Sequence, residues 1–266
     1  QEYFGKLFFY INIGSGFGPI LGGLIIYLFN LYSLKFVGYS SVFFLVALLF
    51  AILFWITNEL PAHRGNQFSF WAILKHKRSL NWKIVLSQQF LYGLFDVSFS
   101  SFSTILIFLF LKQEFSVGAV NTVSTLVFAC ANFLAIRLLK KYKRIYILGM
   151  LLSTLGLFLF GISQTWLGIF GLIFLSNSFL PLLNITTSKS FYDTIDSVKE
   201  DWKSKYHFLV ERDMALGIAR VLIYGVLLVL FTPENQITIS KAWILIIPIF
   251  PLLIGALQIF KEKNRA

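Results

Sequence analysis

Apolar residues fill this chain in long blocks, separated by shorter polar connections that carry most of its lysine and arginine. A helix needs about 20 apolar residues to cross the hydrocarbon core of a bilayer. Blocks of that order occupy residues 7–31, 36–56, 84–111, 117–139, 145–162, 166–188, 214–231 and 242–260. The fifth and seventh are short, and the third is long enough to tilt or kink. The pattern predicts an all-α integral membrane protein with about eight transmembrane helices.

The connections divide these blocks unequally. Residues 59–83 form a polar, basic stretch containing Pro61, Gly65 and the cluster Lys75, Lys77 and Arg78, read as a linker between two membrane regions. Residues 1–58 then hold two helices and residues 84–266 hold six. In residues 190–212, Phe191, Ile195, Val198, Trp202, Tyr206 and Leu209 recur at helical spacing, with Asp196, Lys199, Glu200, Asp201, Lys203 and Lys205 between them. This predicts an amphipathic connection, either a helix on the inner membrane surface or a polar cap on the bundle.

Composition agrees with the blocks: 57% of the residues are hydrophobic and 13% charged, with a mean hydropathy of +0.76. Soluble domains carry about a quarter of their residues charged. A formal charge of +11 fits nucleic acid only when the basic residues gather in one patch, and here they lie in clusters between apolar blocks. Eight crossings put twenty of the 23 basic residues on one side, leaving Lys35, Lys112 and Lys241 on the other. Cytoplasmic connections carry the excess of Lys and Arg, so both ends are expected in the cytoplasm and the protein in the cell membrane. Cys130 is the single cysteine, and His63, His76 and His207 all fall in polar connections. Phosphate loops, metal-ligand spacings and nucleophile–base sets are absent from the sequence, so neither cofactor nor enzymatic chemistry is expected.

The most distinctive stretch is residues 14–23, Gly-Ser-Gly-Phe-Gly-Pro-Ile-Leu-Gly-Gly. Gly14, Gly18 and Gly22 form a stripe on one helix face, a surface that lets a neighbouring helix approach closely in lipid. Pro19 has no N–H for the Ser15 carbonyl and should loosen the helix there. The stretch resembles the GxxxGPxxGG motif of the fifth transmembrane helix of the major facilitator superfamily, above all of its proton-coupled antiporters; Gly14, Gly18, Pro19, Gly22 and Gly23 match every specified position. The resemblance implies that these are helices five to twelve, the C-terminal two-thirds of a twelve-helix fold, and that four helices of the same chain precede Gln1. It further implies alternating access and proton-coupled export of a small molecule. Residues 135–144 occupy the place of a family loop signature and keep its basic character, without its usual Gly and Asp.

Among the twelve acidic residues, Asp96 alone falls deep inside a predicted span. A charge at bilayer depth must face a cavity or a partner, which makes Asp96 the proton-coupling candidate. Its other reading is structural, bonded to Ser98, Gln88, Gln89 or a neighbouring helix. Gln89, Tyr92 and Asn177 are candidates for the substrate cavity, against the commoner role of intramembrane amides as interhelical glue; Gln88, Asn132 and Asn184 carry the same ambiguity. Phe95 and Phe99 offer aromatic surface. Glu211, Asp213 and Arg220 form a candidate cytoplasmic gate, in which the carboxylates partner an Arg220 that otherwise snorkels to the interface. The expected partners are a small-molecule substrate, protons and the lipid bilayer. The same scaffold also suits a lipid or glycolipid flippase, which needs an opening between helices toward the bilayer. A membrane-embedded enzyme on lipid-linked substrates needs convergent acids or histidines, for which residues 193–213 supply carboxylates.

Overall fold

The computed structural model describes residues 2–59, 78–163, 165–198, 202–232 and 234–264. These form α1 (Glu2–Leu31), α2 (Lys35–Asn58), α3 (Leu80–Leu111), α4 (Glu114–Lys141), α5 (Tyr146–Ile162), α6 (Trp166–Asp196), α7 (Trp202–Leu230), α8 (Gln236–Ile246) and α9 (Ile249–Lys263). No strand occurs among the described residues. Among the described residues, seven helical stretches are long and apolar enough to cross a membrane, with α8 and α9 acting as one, and α5 is a shorter apolar helix. The protein is a multi-pass membrane protein, and each predicted block falls within one of these helical stretches to within a residue at its ends.

Three boundaries differ from the sequence pattern. The block at 214–231 is the second part of α7, a continuous helix that starts at Trp202. The block at 242–260 is broken between Ile246 and Ile249, where Pro248 has no N–H to carry the helix on. Residues 190–212 are not a separate surface helix. They divide between the end of α6 and the start of α7, and Phe191 and Phe208 bury against Trp82 at ring distances of 5.9 and 4.7 Å. Residues 199–201 lie outside the described residues. So does most of the 59–83 linker, up to Arg78. Just beyond, Ser79 opens α3 as its N-cap, its Oγ accepting from Trp82 N at 3.2 Å.

Four helix ends lie together at one end of the bundle. There the start of α3, the end of α6, the start of α7 and the end of α9 interlock. Arg78 pairs with Glu211 at 2.7 Å, and Trp82 Nε1 donates to the same carboxylate at 3.0 Å. Lys261 is fully buried, its ammonium donating to Ser190 Oγ and Thr194 Oγ1, each at 2.6 Å. Gln88 donates to Gln258 Oε1, and Gln258 to Glu262. Paired charges and satisfied amides are what a tightly packed end of a membrane bundle requires.

Two seams run up from this end. In α3 and α7, a methyl placed on Gly93 would stand 2.8 Å from the Leu216 carbonyl and 2.9 Å from Ala219 Cβ, so the backbones meet there because the glycine has no side chain. In α1 and α4, Gly118 lies directly beneath the Pro19 carbonyl, too close for a methyl group. One residue on, Ile20 N donates across the interface to Thr122 Oγ1 at 3.2 Å. Gly23 fits against the Glu114 backbone in the same seam. Gly14 and Gly18 do not take part: no atom lies within 4 Å of a methyl built on either, and Gly22 meets only Val42. The expected close-approach stripe is therefore open, and α4 contacts the adjoining face of α1. α2 packs mainly on α1 and exposes apolar side chains on every side, among them Phe43, Phe50 and Phe54, as suits a helix surrounded by lipid.

Candidate functional site

Between α1, α3, α4 and α6 lies a cavity of about 470 Å³. From α3 it receives Tyr92, Asp96, Ser100 and Thr104, spaced one turn apart on one face. α1 contributes Asn12 and Pro19, and α4 contributes Asn121, Ser124 and Thr125. Asn177 and Asn184 come from α6. The volume lies in the range of small-molecule sites, about 300–1,000 Å³, and polar groups set in an apolar wall are their usual lining.

Local backbone irregularity aims α6 at this cavity. Residues Gly171–Ser176 form a π-helical turn immediately before Asn177. Gly156 of α5 makes room for it, since a methyl there would stand 2.6 Å from both Gly171 O and Ser176 N. Four residues past Asn177, Pro181 lacks the N–H that would donate to the Asn177 carbonyl. A widened turn followed by a missing bond rotates the side chains of one helix relative to its two ends, and such turns recur at functional sites. Asn177 Nδ2 donates to Ser124 Oγ across to α4.

Asp96 is the one charged side chain in the cavity wall among the described residues, and it is not alone. Arg220 Nη2 of α7 donates to Asp96 Oδ2 at 2.8 Å, with both side chains a little under half exposed. The pair lies one turn along the α3–α7 seam from Gly93. On the other side of that glycine, Arg212 Nε donates to Gln89 Oε1 at 3.2 Å. The seam is thus an alternation of polar bridge, backbone contact and ion pair.

This arrangement regroups the sequence candidates. Asp96, Tyr92, Asn177 and Pro19 meet at the cavity. Gln89 does not reach it, because Arg212 holds its side chain in the seam, which is the interhelical role. Glu211 and Asp213 do not partner Arg220. On one continuous helix Glu211 projects from the opposite face, and Asp213 lies two turns, about 10 Å, away along the axis. Glu211 is taken by Arg78 and Trp82, while Asp213 lies 3.9 Å from Arg212 and is largely exposed. Gly14, Gly18 and Gly22 do not line this cavity, and Gly23 serves the α1–α4 seam. Asn12 and Asn121 were not singled out from the sequence. The polar run Asn121-Thr122-Val123-Ser124-Thr125 inside an apolar helix was the signal for the second of them.

A "Uncharacterized protein YqgE" of Bacillus subtilis (strain 168) is 25% identical to this chain over 228 residues, covering 83% of the chain and 52% of that protein. The chain therefore spans about half the length of the curated relative it matches. No family model matches the chain, and no solved structure matches it.

Proposed function

We propose that this chain is the substrate-binding and coupling portion of a secondary active transporter of the major facilitator type, which moves a small molecule across the cell membrane by alternating access and exports it in exchange for protons. The observation that carries the reading is the cavity itself. It lies where the GxxxGPxxGG helix meets the block of six helices, and it holds an intramembrane carboxylate with a cationic partner on a third element. Alternating access needs a central site at the interface of two helix groups. Coupling needs a charge whose neutralisation changes how helices hold each other. Protonation of Asp96 removes the charge that holds Arg220, so the α3–α7 seam loses this ion pair and the cavity wall loses the one anion it has among the described residues. The cytoplasmic placement of both chain ends follows from the lysine and arginine tally and belongs to the same proposal.

Lipid flipping is the second reading, and the structure offers it a groove. Between α4 and α6 an apolar recess of about 440 Å³ is lined by Leu126, Cys130, Leu134 and Leu138 on one side and Phe179 and Leu182 on the other. Its one hydroxyl, Ser178, provides little for a lipid headgroup, whereas the cavity around Asp96 is polar, so transport of a small polar molecule is favoured.

The test is flux in proteoliposomes under an imposed pH gradient, for the protein and for Asp96→Asn, with folding checked by thermal melting. Gradient-driven flux that the folded variant lacks supports the reading. Flux that Asp96→Asn leaves unchanged removes Asp96 from coupling, and lipid scrambling without solute flux selects the flippase.

A further inference from the structure

We infer that the cavity takes an uncharged, hydroxyl-rich molecule of the sugar or polyol kind. The inference rests on the transport reading for the place of the site, and it is carried by the unused hydrogen-bonding capacity of the wall and by its charge balance.

Four asparagines from three helices face this space: Asn12, Asn121, Asn177 and Asn184. Asn12 spends its amide N–H on the Phe8 carbonyl and Asn177 on Ser124, so each keeps its carbonyl oxygen. The side chains of Asn121 and Asn184 make no hydrogen bond among the described residues. A carboxamide presents two donors and an acceptor within a few ångströms. A ligand that satisfies several of them must donate and accept at many points, which a set of hydroxyl groups does. Leaving such amides unfilled as the cavity closes would be costly, so occupancy by a matching ligand is coupled to closure.

Charge balance weighs against the alternatives. A cationic ligand would compete with Arg220 for Asp96, and an anionic one would compete with Asp96 for Arg220. Displacing either partner leaves one charge unpaired at membrane depth. An uncharged ligand leaves the pair closed. Phe95 and Phe99, with ring centroids 5.5 Å apart and planes within 8° of parallel, add an apolar wall for the C–H face of a ring-shaped polyol.

The experiment is ligand binding by the purified full chain in detergent, read as a saturable rise in melting temperature. The panel is glucose, sucrose, trehalose and mannitol as neutral polyols, tetraphenylphosphonium as a lipophilic cation, and citrate and benzoate as anions. The expected result is saturable binding of at least one polyol and of none of the ions. Asn121→Leu and Asn184→Leu, shown to be folded by an unchanged melting temperature without ligand, should bind that polyol about three- to tenfold more weakly, the loss of one neutral hydrogen bond. Binding of a cation or anion in preference to every polyol overturns the inference, and so does binding of nothing in the panel, or folded asparagine variants of unchanged affinity. Counterflow in proteoliposomes separates the two readings. Flux of an ion and of no polyol overturns the substrate class and leaves transport standing, whereas polyol binding with no flux of any solute leaves the class and removes transport.

Discussion

Asp96 and Arg220 illustrate what single residues reveal before a structure is known. A carboxylate in the middle of an apolar block is conspicuous because insertion scales place its cost at about 3 kcal/mol, so Asp96 was legible as special from its position alone. Its partner was not, because the two residues are 124 positions apart and only the packing of α3 on α7 brings them together. Local reasoning offered Glu211 and Asp213 as partners, since they stand near Arg220 where the seventh span begins, but Arg220 pairs with Asp96 instead. The amides divide in the same way. Gln89 and Asn177 look alike in sequence, yet one is held by Arg212 in a seam and the other is turned toward a cavity by a π-turn and a proline. At this scale the pairing is testable by a double-mutant cycle. Asp96→Asn and Arg220→Gln should each lower the melting temperature, and the double variant should recover part of the loss, with a coupling of about 0.5–3 kcal/mol. Strictly additive losses would mean that the pair contributes nothing to stability.

The helices themselves were legible as apolar blocks, because length and hydropathy suffice to mark a crossing. The seams were not. A stripe of Gly14, Gly18 and Gly22 satisfies the rule for close helix approach, but in this fold the neighbour of α1 meets Gly16, Pro19 and Gly23. Periodicity identifies a face without saying which helix covers it. The same limitation hid the break at Pro248, where a proline-interrupted block still averages apolar enough to cross. Substitutions should separate the two classes of glycine. Gly118→Val and Gly93→Val introduce atoms where backbone already stands, and each should cost about 1–3 kcal/mol of stability by thermal melting. Gly18→Ala meets no atom within 4 Å and adds helix propensity, so the melting temperature should hold or rise. A Gly18→Ala variant as unstable as Gly118→Val would show that the open stripe is covered in the folded protein.

At the scale of the whole molecule, the distribution of charge and the packing agree. The basic connections interlock at one end through Arg78, Arg212 and Lys261, each tied to a neighbouring helix. The proposed orientation puts this end, with its excess of positive charge, in the cytoplasm. In a Cys130→Ser background, cysteines at Lys143 and Lys263 should react with an impermeant maleimide only after cells are opened, and cysteines at Lys112 and Lys241 should react in intact cells. The reverse pattern would invert the orientation, and a mixed pattern would contradict the order of crossings.

Alternating access makes a sharper demand on the cavity, and Ser100 offers a place to test it, since it lines the wall without belonging to the ion pair or the asparagine set. The decisive measurement is the reactivity of Ser100→Cys, in the same background, toward an impermeant thiol reagent supplied from each side of the membrane under opposed pH gradients. A transporter that rocks about this cavity should be labelled from both sides, with the faster side changing as the gradient is reversed. Labelling confined to one side under both gradients, or equal and gradient-independent labelling from both, would contradict alternating access at the Asp96 cavity.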